Sequence, residues 1–154
     1  MYKKILVSTD GSDLAEKGVD AAIELAQKLQ AELFLVTVTS ILPAYGFIVG
    51  PQWTDVPPAF EDFRQEVTEK TKKILDAAQQ KAKQKNINVT ALHVENEQPA
   101  MGILDAAEKY HVDLIVMASH GRRGVSRLLV GSQTAEVLAN SKICLLYTSP
   151  SPRD

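Results

Sequence analysis

Lys4-Ile-Leu-Val-Ser-Thr-Asp-Gly-Ser12 reads as a strand, a turn and the start of a helix. The short apolar run Lys4–Val7 stops at Ser8-Thr-Asp-Gly-Ser12. Ser12 is a natural N-cap for a helix running to about Gln30, with Ala15, Val19, Ala22, Ala26 and Leu29 on one face. The same pattern returns along the chain. Leu33-Phe-Leu-Val-Thr-Val38 is a second strand. Thr39 to Pro58 holds Pro43, Pro51, Pro57 and Pro58 with Gly46 and Gly50, an irregular stretch of a length that usually carries function. A charged amphipathic helix follows, about Phe60 to Lys85, with Phe63, Val67, Ile74 and Ala78 inward. Its i,i+4 pairs Glu66–Lys70 and Glu69–Lys73 read as a solvated face. Val89-Thr-Ala-Leu-His-Val94 is a third strand, Pro99–Tyr110 a helix opened by proline, Asp113–Ala118 a fourth strand and Thr134–Asn140 a last helix. Strands alternating with helices predict an α/β domain with a parallel sheet covered on both faces. Right-handed crossovers put the carboxyl ends of all strands on one edge, where ligands bind at the switch point of strand order.

Composition sets the class. A chain of 154 residues fits one domain with a real core. An apolar fraction of 45% and a charged fraction of 23% are those of an ordinary soluble globule rather than a disordered segment. The net charge of −2 argues against broad nucleic-acid or membrane-surface binding. No apolar run approaches membrane-spanning length, and Met1-Tyr-Lys-Lys enters a strand at once, so neither a signal peptide nor a transmembrane helix is expected. The single cysteine, Cys144, permits no internal disulfide, which suits the cytoplasm. His93, His111 and His120 are scattered and form no metal-ligand cluster in sequence.

The chemistry concentrates in Met117-Ala-Ser-His-Gly-Arg-Arg-Gly-Val-Ser-Arg-Leu-Leu-Val-Gly-Ser132, which leaves the fourth strand and enters the last helix. Gly121, Gly124 and Gly131 allow a ligand to approach the backbone, and Ser132 adds a hydroxyl near a helix N-terminus. Backbone donors of a glycine loop next to a helix start make a phosphate site. From Leu114 to Ala135 there are three arginines, Arg122, Arg123 and Arg127, and no acidic residue. These arginines read either as bidentate phosphate clamps or as a solvated face. His120 reads as a residue holding the loop. Asp10 ends the first strand at the ligand edge, where its carboxylate either accepts hydrogen bonds from a ribose or base, or joins Ser12 in capping the helix. No G-x-x-x-x-G-K-[ST] occurs, and the first turn has one glycine, Gly11, so neither the P-loop nor the dinucleotide fingerprint is present.

The tail has a different texture. Cys144-Leu-Leu-Tyr-Thr-Ser-Pro-Ser-Pro-Arg-Asp154 resembles the conceptual translation of a sequencing-library adapter. The expected division is therefore one domain over residues 1–143, which the resemblance given below makes nucleotide-binding, and a non-native tail over 144–154, in which Cys144 carries no meaning. Leu145, Leu146 and Tyr147 are apolar enough to complete a fifth strand all the same.

Lys3-Lys-Ile-Leu-Val-Ser-Thr-Asp-Gly-Ser12, Val112-Asp-Leu-Ile-Val-Met-Ala-Ser-His-Gly121 and the glycine-serine run together resemble the universal stress protein family, from Tyr2 to Ile143. The resemblance implies a doubly wound domain with a five-stranded parallel sheet in the order 3-2-1-4-5. It also points to the ATP-binding branch, whose members share a G-x₂-G-x₉-G-[ST] loop. Laid on this chain the loop reads Ala118-Ser-His-Gly121, nine residues, then Gly131-Ser132, so Ala118 replaces the first glycine. By that likeness Asp10 contacts the adenosine, and Val38 lines the adenine pocket through its backbone. Thr9 and Met117 line the pocket too. Ala118, Gly121, Arg122, Gly124, Gly131 and Ser132 surround the phosphates, with N–H groups from Gln133 and Thr134 and a magnesium or manganese ion on the triphosphate. The family also implies a homodimer joined along the fifth strand. The leading expectation is a cytoplasmic ATP-binding stress regulator whose occupancy changes the surface shown to a protein partner. Trp53 and its loop are the candidate moving element. A slow ATP hydrolase or phosphotransferase and a nucleotide-independent dimeric interaction module are the rival readings.

Overall fold

The computed structural model describes residues 1–40, 58–96, 98–119 and 131–148. The chain runs β1 (Lys4–Ser8), α1 (Asp13–Leu29), β2 (Glu32–Thr39), α2 (Pro58–Gln84), β3 (Val89–Glu95), α3 (Pro99–Lys109), β4 (Leu114–Ala118), α4 (Ser132–Asn140) and β5 (Cys144–Thr148). Local chemistry explains the first unit. The Ser12 side chain accepts from the Ala15 N–H at 3.2 Å. Asp13 and Glu16 favour the positive end of α1, and Lys28 favours its negative end. Gln30 turns left-handed at φ 53° and closes the helix, donating to the carbonyls of Ala26 and Gln27.

The five strands form one parallel sheet in the order β3-β2-β1-β4-β5. Ile5 of β1 stands opposite Leu33 of β2 on one side and Leu114 of β4 on the other. Ile5, Leu6 and Val7 have no solvent exposure, because a central strand of a doubly covered sheet is buried on both faces. The period of two divides the core. Ile5, Val7, Leu33, Leu35, Leu114 and Val116 pack with Val19, Ala22 and Ala26 of α1 and Leu75, Ala78 and Ala82 of α2. Leu6, Phe34, Val36, Ile115 and Met117 pack with Ala100, Ile103, Ala106 and Ala107 of α3 and Val137 of α4.

Two details differ from expectation. The deeply buried positions of α2 are Thr71, Leu75, Ala78 and Ala82, while Phe63, Val67 and Ile74 are half-buried. Ala78 is buried as expected, and the other deeply buried positions, Thr71, Leu75 and Ala82, lie in the C-terminal half of this long helix. The last helix begins at Ser132, two residues before the expected Thr134. The adapter-like segment supplies β5: Cys144 to Thr148 pair with Leu114 to Ala118, and Leu145 packs against the α3–α4 side of the core.

Candidate functional site at the carboxyl edge

β1 lies between β2 and β4, so the chain winds outward from it in both directions. The carboxyl ends of these strands part at the switch point. Three pieces of chain meet there.

The first is the β1–α1 turn. The Thr9 N–H donates to the Val36 carbonyl at 2.9 Å, and the Thr37 hydroxyl donates to the Thr9 carbonyl at 2.9 Å. Thr9 Oγ1 accepts from the Gly11 N–H at 3.1 Å, and Asp10 Oδ1 accepts from the Ser12 N–H at 2.9 Å. Both side chains therefore shape the turn. Asp10 is half-buried and Gly11 is exposed at φ +77°. A Cβ on Gly11 would come within 2.9 Å of Ile74 on α2, so backbone and packing both require glycine. Asp10 thus organises the turn by holding Ser12, the residue that caps α1, and it stands at the carboxyl edge.

The second piece is the end of β2. Val38 pairs with Val94 of β3, and its side chain lies on the α3 side of the sheet. Thr39 Oγ1 lies 2.7 Å from His93 Nε2, which gives His93 a structural partner.

The third piece joins β4 to α4. Met117 is buried in the α3–α4 core, so its side chain serves packing. Ala118 belongs to β4 and is not among the residues with positive φ. The alanine in place of the first glycine is thus compatible with the backbone it occupies. Gly18 of α1 packs against it, where a Cβ would stand 3.4 Å from the Ala118 nitrogen. The Thr134 hydroxyl donates to the Ala118 carbonyl at 2.8 Å, fastening α4 to the end of β4. Ser119 is buried. Its N–H donates to Thr148 of β5, and its carbonyl accepts from the Gly131 N–H, so the two ends of the glycine-rich segment meet. Gly131 caps α4 with φ −57°, an ordinary conformation whose value here is the missing side chain over the helix start. The intrahelical ladder begins with Ala135 N–H donating to Gly131, leaving the N–H groups of Ser132, Gln133 and Thr134 ahead of it. Ser132 and Gln133 are exposed. This is a donor-rich, open helix start of the kind that receives phosphate.

The structure thus brings together Thr9, Asp10, Val38, Ala118, Gly131, Ser132, Gln133 and Thr134 at one edge. Gly121, Arg122 and Gly124 lie outside the described residues, as do Arg123, Arg127, His120 and Trp53. Among the described residues no cluster of three or more His, Cys, Asp or Glu is poised to hold a metal ion. Sequence reading missed Ser119, whose role lies in its backbone. It also missed the Gln133 side chain, whose Oε1 accepts from the Ala100 N–H of α3 at 3.0 Å.

The universal stress protein family model matches residues 1–147. The chain belongs to the universal stress protein family. Universal stress protein MJ0531 of Methanocaldococcus jannaschii is 31% identical over 154 residues, covering all of this chain and 86% of that protein. Universal stress protein YxiE of Bacillus subtilis is 35% identical over 139 residues, 89% of this chain and 92% of the other. Among solved structures, hypothetical protein MJ0577 superposes with a TM-score of 0.82 at 25% identity, covering 99% of each chain. Two further solved structures share the fold. One is a universal stress protein in complex with cAMP, TM-score 0.68 and 24% identity over 97% and 98% of the chains. The other is the universal stress protein from Archaeoglobus fulgidus in complex with dAMP, TM-score 0.66 and 19% identity over 95% and 97%. For a universal stress protein, then, the carboxyl edge of this chain is the surface to interpret.

Proposed function

We propose that this universal stress protein binds ATP at the carboxyl edge and that occupancy changes how it meets a protein partner in the cytoplasm. One observation carries the reading: the β1–α1 turn, the end of β2 and the uncovered start of α4 converge at the switch point of the sheet. Fold neighbours in complex with cAMP and dAMP support an adenine nucleotide as the ligand class. The residues fit such a group. Val38 offers backbone to the base, and Thr9 and Asp10 border the adenosine side, while the Met117 side chain, expected there from sequence, packs in the core beneath. Ala118, Gly131, Ser132, Gln133 and Thr134 stand on the phosphate side, and the family likeness assigns Gly121, Arg122 and Gly124, outside the described residues, to the same role. A magnesium or manganese ion would neutralise the triphosphate, held by phosphate oxygens rather than by a protein cluster.

We also propose a homodimer. β5 is an edge strand, and Leu146 (43% exposed), Tyr147 (44%) and Leu138 of α4 (54%) stand on that side of the molecule. Among the described residues no helix is long and apolar enough to cross a membrane.

The test is native mass spectrometry of the freshly purified chain, before and after MgATP. The expected result is a mass increment of ATP or ADP on each protomer and a species of two copies. A spectrum that stays empty after MgATP overturns the nucleotide reading and favours a nucleotide-independent interaction module. A spectrum with only single copies overturns the dimer.

A further inference from the structure

The first turn of α3 touches both halves of the proposed site while belonging to neither. On the base side, α3 lies so close to β2 that a Cβ on Gly102 would stand 2.8 Å from Val38 Cγ1, 3.1 Å from Val38 Cγ2 and 3.3 Å from the Asn96 Cβ. The chain leading into α3 is pinned to the same strand end. The Asn96 N–H donates to the Thr39 carbonyl at 3.0 Å, and Asn96 Oδ1 accepts from the Gln98 N–H at 2.9 Å. On the phosphate side, the side chain of Gln133 in α4 accepts from the Ala100 N–H. Gln98, at the N-cap of α3 itself, makes no side-chain cap bond, so α4 supplies the side-chain bond that its own N-cap does not. One helical turn therefore spans from the end of β2 to the start of α4, in contact with each.

We infer that Gln133 and Gly102 make this turn a strut that sets the spacing between the base-holding end of β2 and the phosphate-holding start of α4. The strut thereby selects adenine ligands by their phosphate chain. The inference rests on the nucleotide reading above and deepens it. Gln133 is a positioning residue: its side chain fixes where the first turn of α4, with its donor N–H groups, stands relative to Val38. A ligand that reaches only the base side does not sense Gln133. A ligand that spans both sides does, because a hydrogen-bonding array displaced by a fraction of an ångström loses alignment.

The experiment is calorimetric titration of the full chain with adenosine, AMP and MgATP. Gln133→Leu is expected to weaken ATP about tenfold and to leave adenosine within about twofold. Gly102→Ala is expected to weaken all three ligands, since its Cβ displaces Val38, and MgATP most, since the spacing to α4 changes as well. Adding Val38→Ala to that chain makes room and restores them. Gln133→Asn, one methylene shorter, carries the same ATP-selective loss should Gln133→Leu fail to fold. The ratio of ATP to adenosine affinity is the deciding quantity, because general destabilisation moves both together. Equal losses for ATP and adenosine in the Gln133 variants, or no loss for either, overturn the strut while leaving nucleotide binding in place. A wild-type chain that binds none of the three overturns the nucleotide reading, and the strut falls with it.

Discussion

Gly11 and Ala118 show how much rests on single methyl groups at the carboxyl edge. Gly11 combines φ +77° with Ile74 at 2.9 Å from where a Cβ would stand. Gly11→Ala strains the backbone and pushes α2 at once. It should destabilise the fold by about 1–3 kcal/mol, read as a lowered urea midpoint at unchanged slope. An unchanged midpoint would mean that the turn relaxes freely. Ala118 is the converse case. Its strand backbone asks nothing of glycine. Ala118→Gly should leave ATP affinity within about twofold and cost about 0.5–1 kcal/mol of stability through added chain entropy. A large gain in affinity on calorimetric titration would instead show that the alanine Cβ obstructs the ligand. Asp10 was legible as a residue of the candidate site because it follows an apolar run at a strand end, and Thr9 only through the family likeness. Gln133 was legible only as a residue at a helix start, since the target of its side chain lies 33 positions away.

At the scale of elements, α2 is held to α1 by an exposed ionic clamp as well as by its buried face. Lys81 Nζ lies 2.6 Å from Glu16 and 3.1 Å from Asp20. The hydrogen bond with Glu16 is the main cause that raises the Lys81 pKa above the ordinary lysine value, with Asp20 adding to it. A raised folded-state pKa means that the lysine contributes stability fully below its unfolded value and loses it as pH climbs through the folded value. The clamp should therefore persist through neutral pH and vanish only in strong alkali. Water screens so exposed a pair, so Lys81→Met should cost no more than about 1 kcal/mol at neutral pH. Urea midpoints of wild type and variant should converge as pH rises past the lysine range, and also in high salt. Midpoints that stay apart would show that packing of the lysine stem matters more than its charge. The buried face of α2 was only partly legible. Phe63 and Val67 mark an apolar stripe in sequence yet are only half-buried, and Thr71 takes a buried position instead.

For the whole molecule, the edges of the sheet matter most. β3 and β5 are the outer strands, and β5 carries the exposed Leu146 and Tyr147. If two copies join along β5, Tyr147→Lys should shift the sedimentation profile from dimer to monomer, as edge lysines block strand pairing. The proposed nucleotide site lies at the carboxyl ends of the central strands, so the same variant should keep its ATP affinity. A chain that stays dimeric would move the interface elsewhere, and a chain that loses ATP as well would show that dimer and site depend on each other.

Sequence alone determined the α/β class, the succession of elements and the location of the candidate site at strand ends. These depend on short-range patterns: apolar runs of strand length, helical periodicity, a capping serine and glycines after a strand. Family likeness added the strand order that the sheet displays. Only the tertiary structure decided which half of α2 is buried, that Asp10 shapes its own turn, that Ala118 needs no glycine, and that Gln133 caps a helix other than its own. The reason is physical. Propensity and periodicity act over one or two turns of chain, whereas a cap supplied from another helix, or a close approach such as Gly102 on Val38, exists only after the crossovers have brought distant segments together.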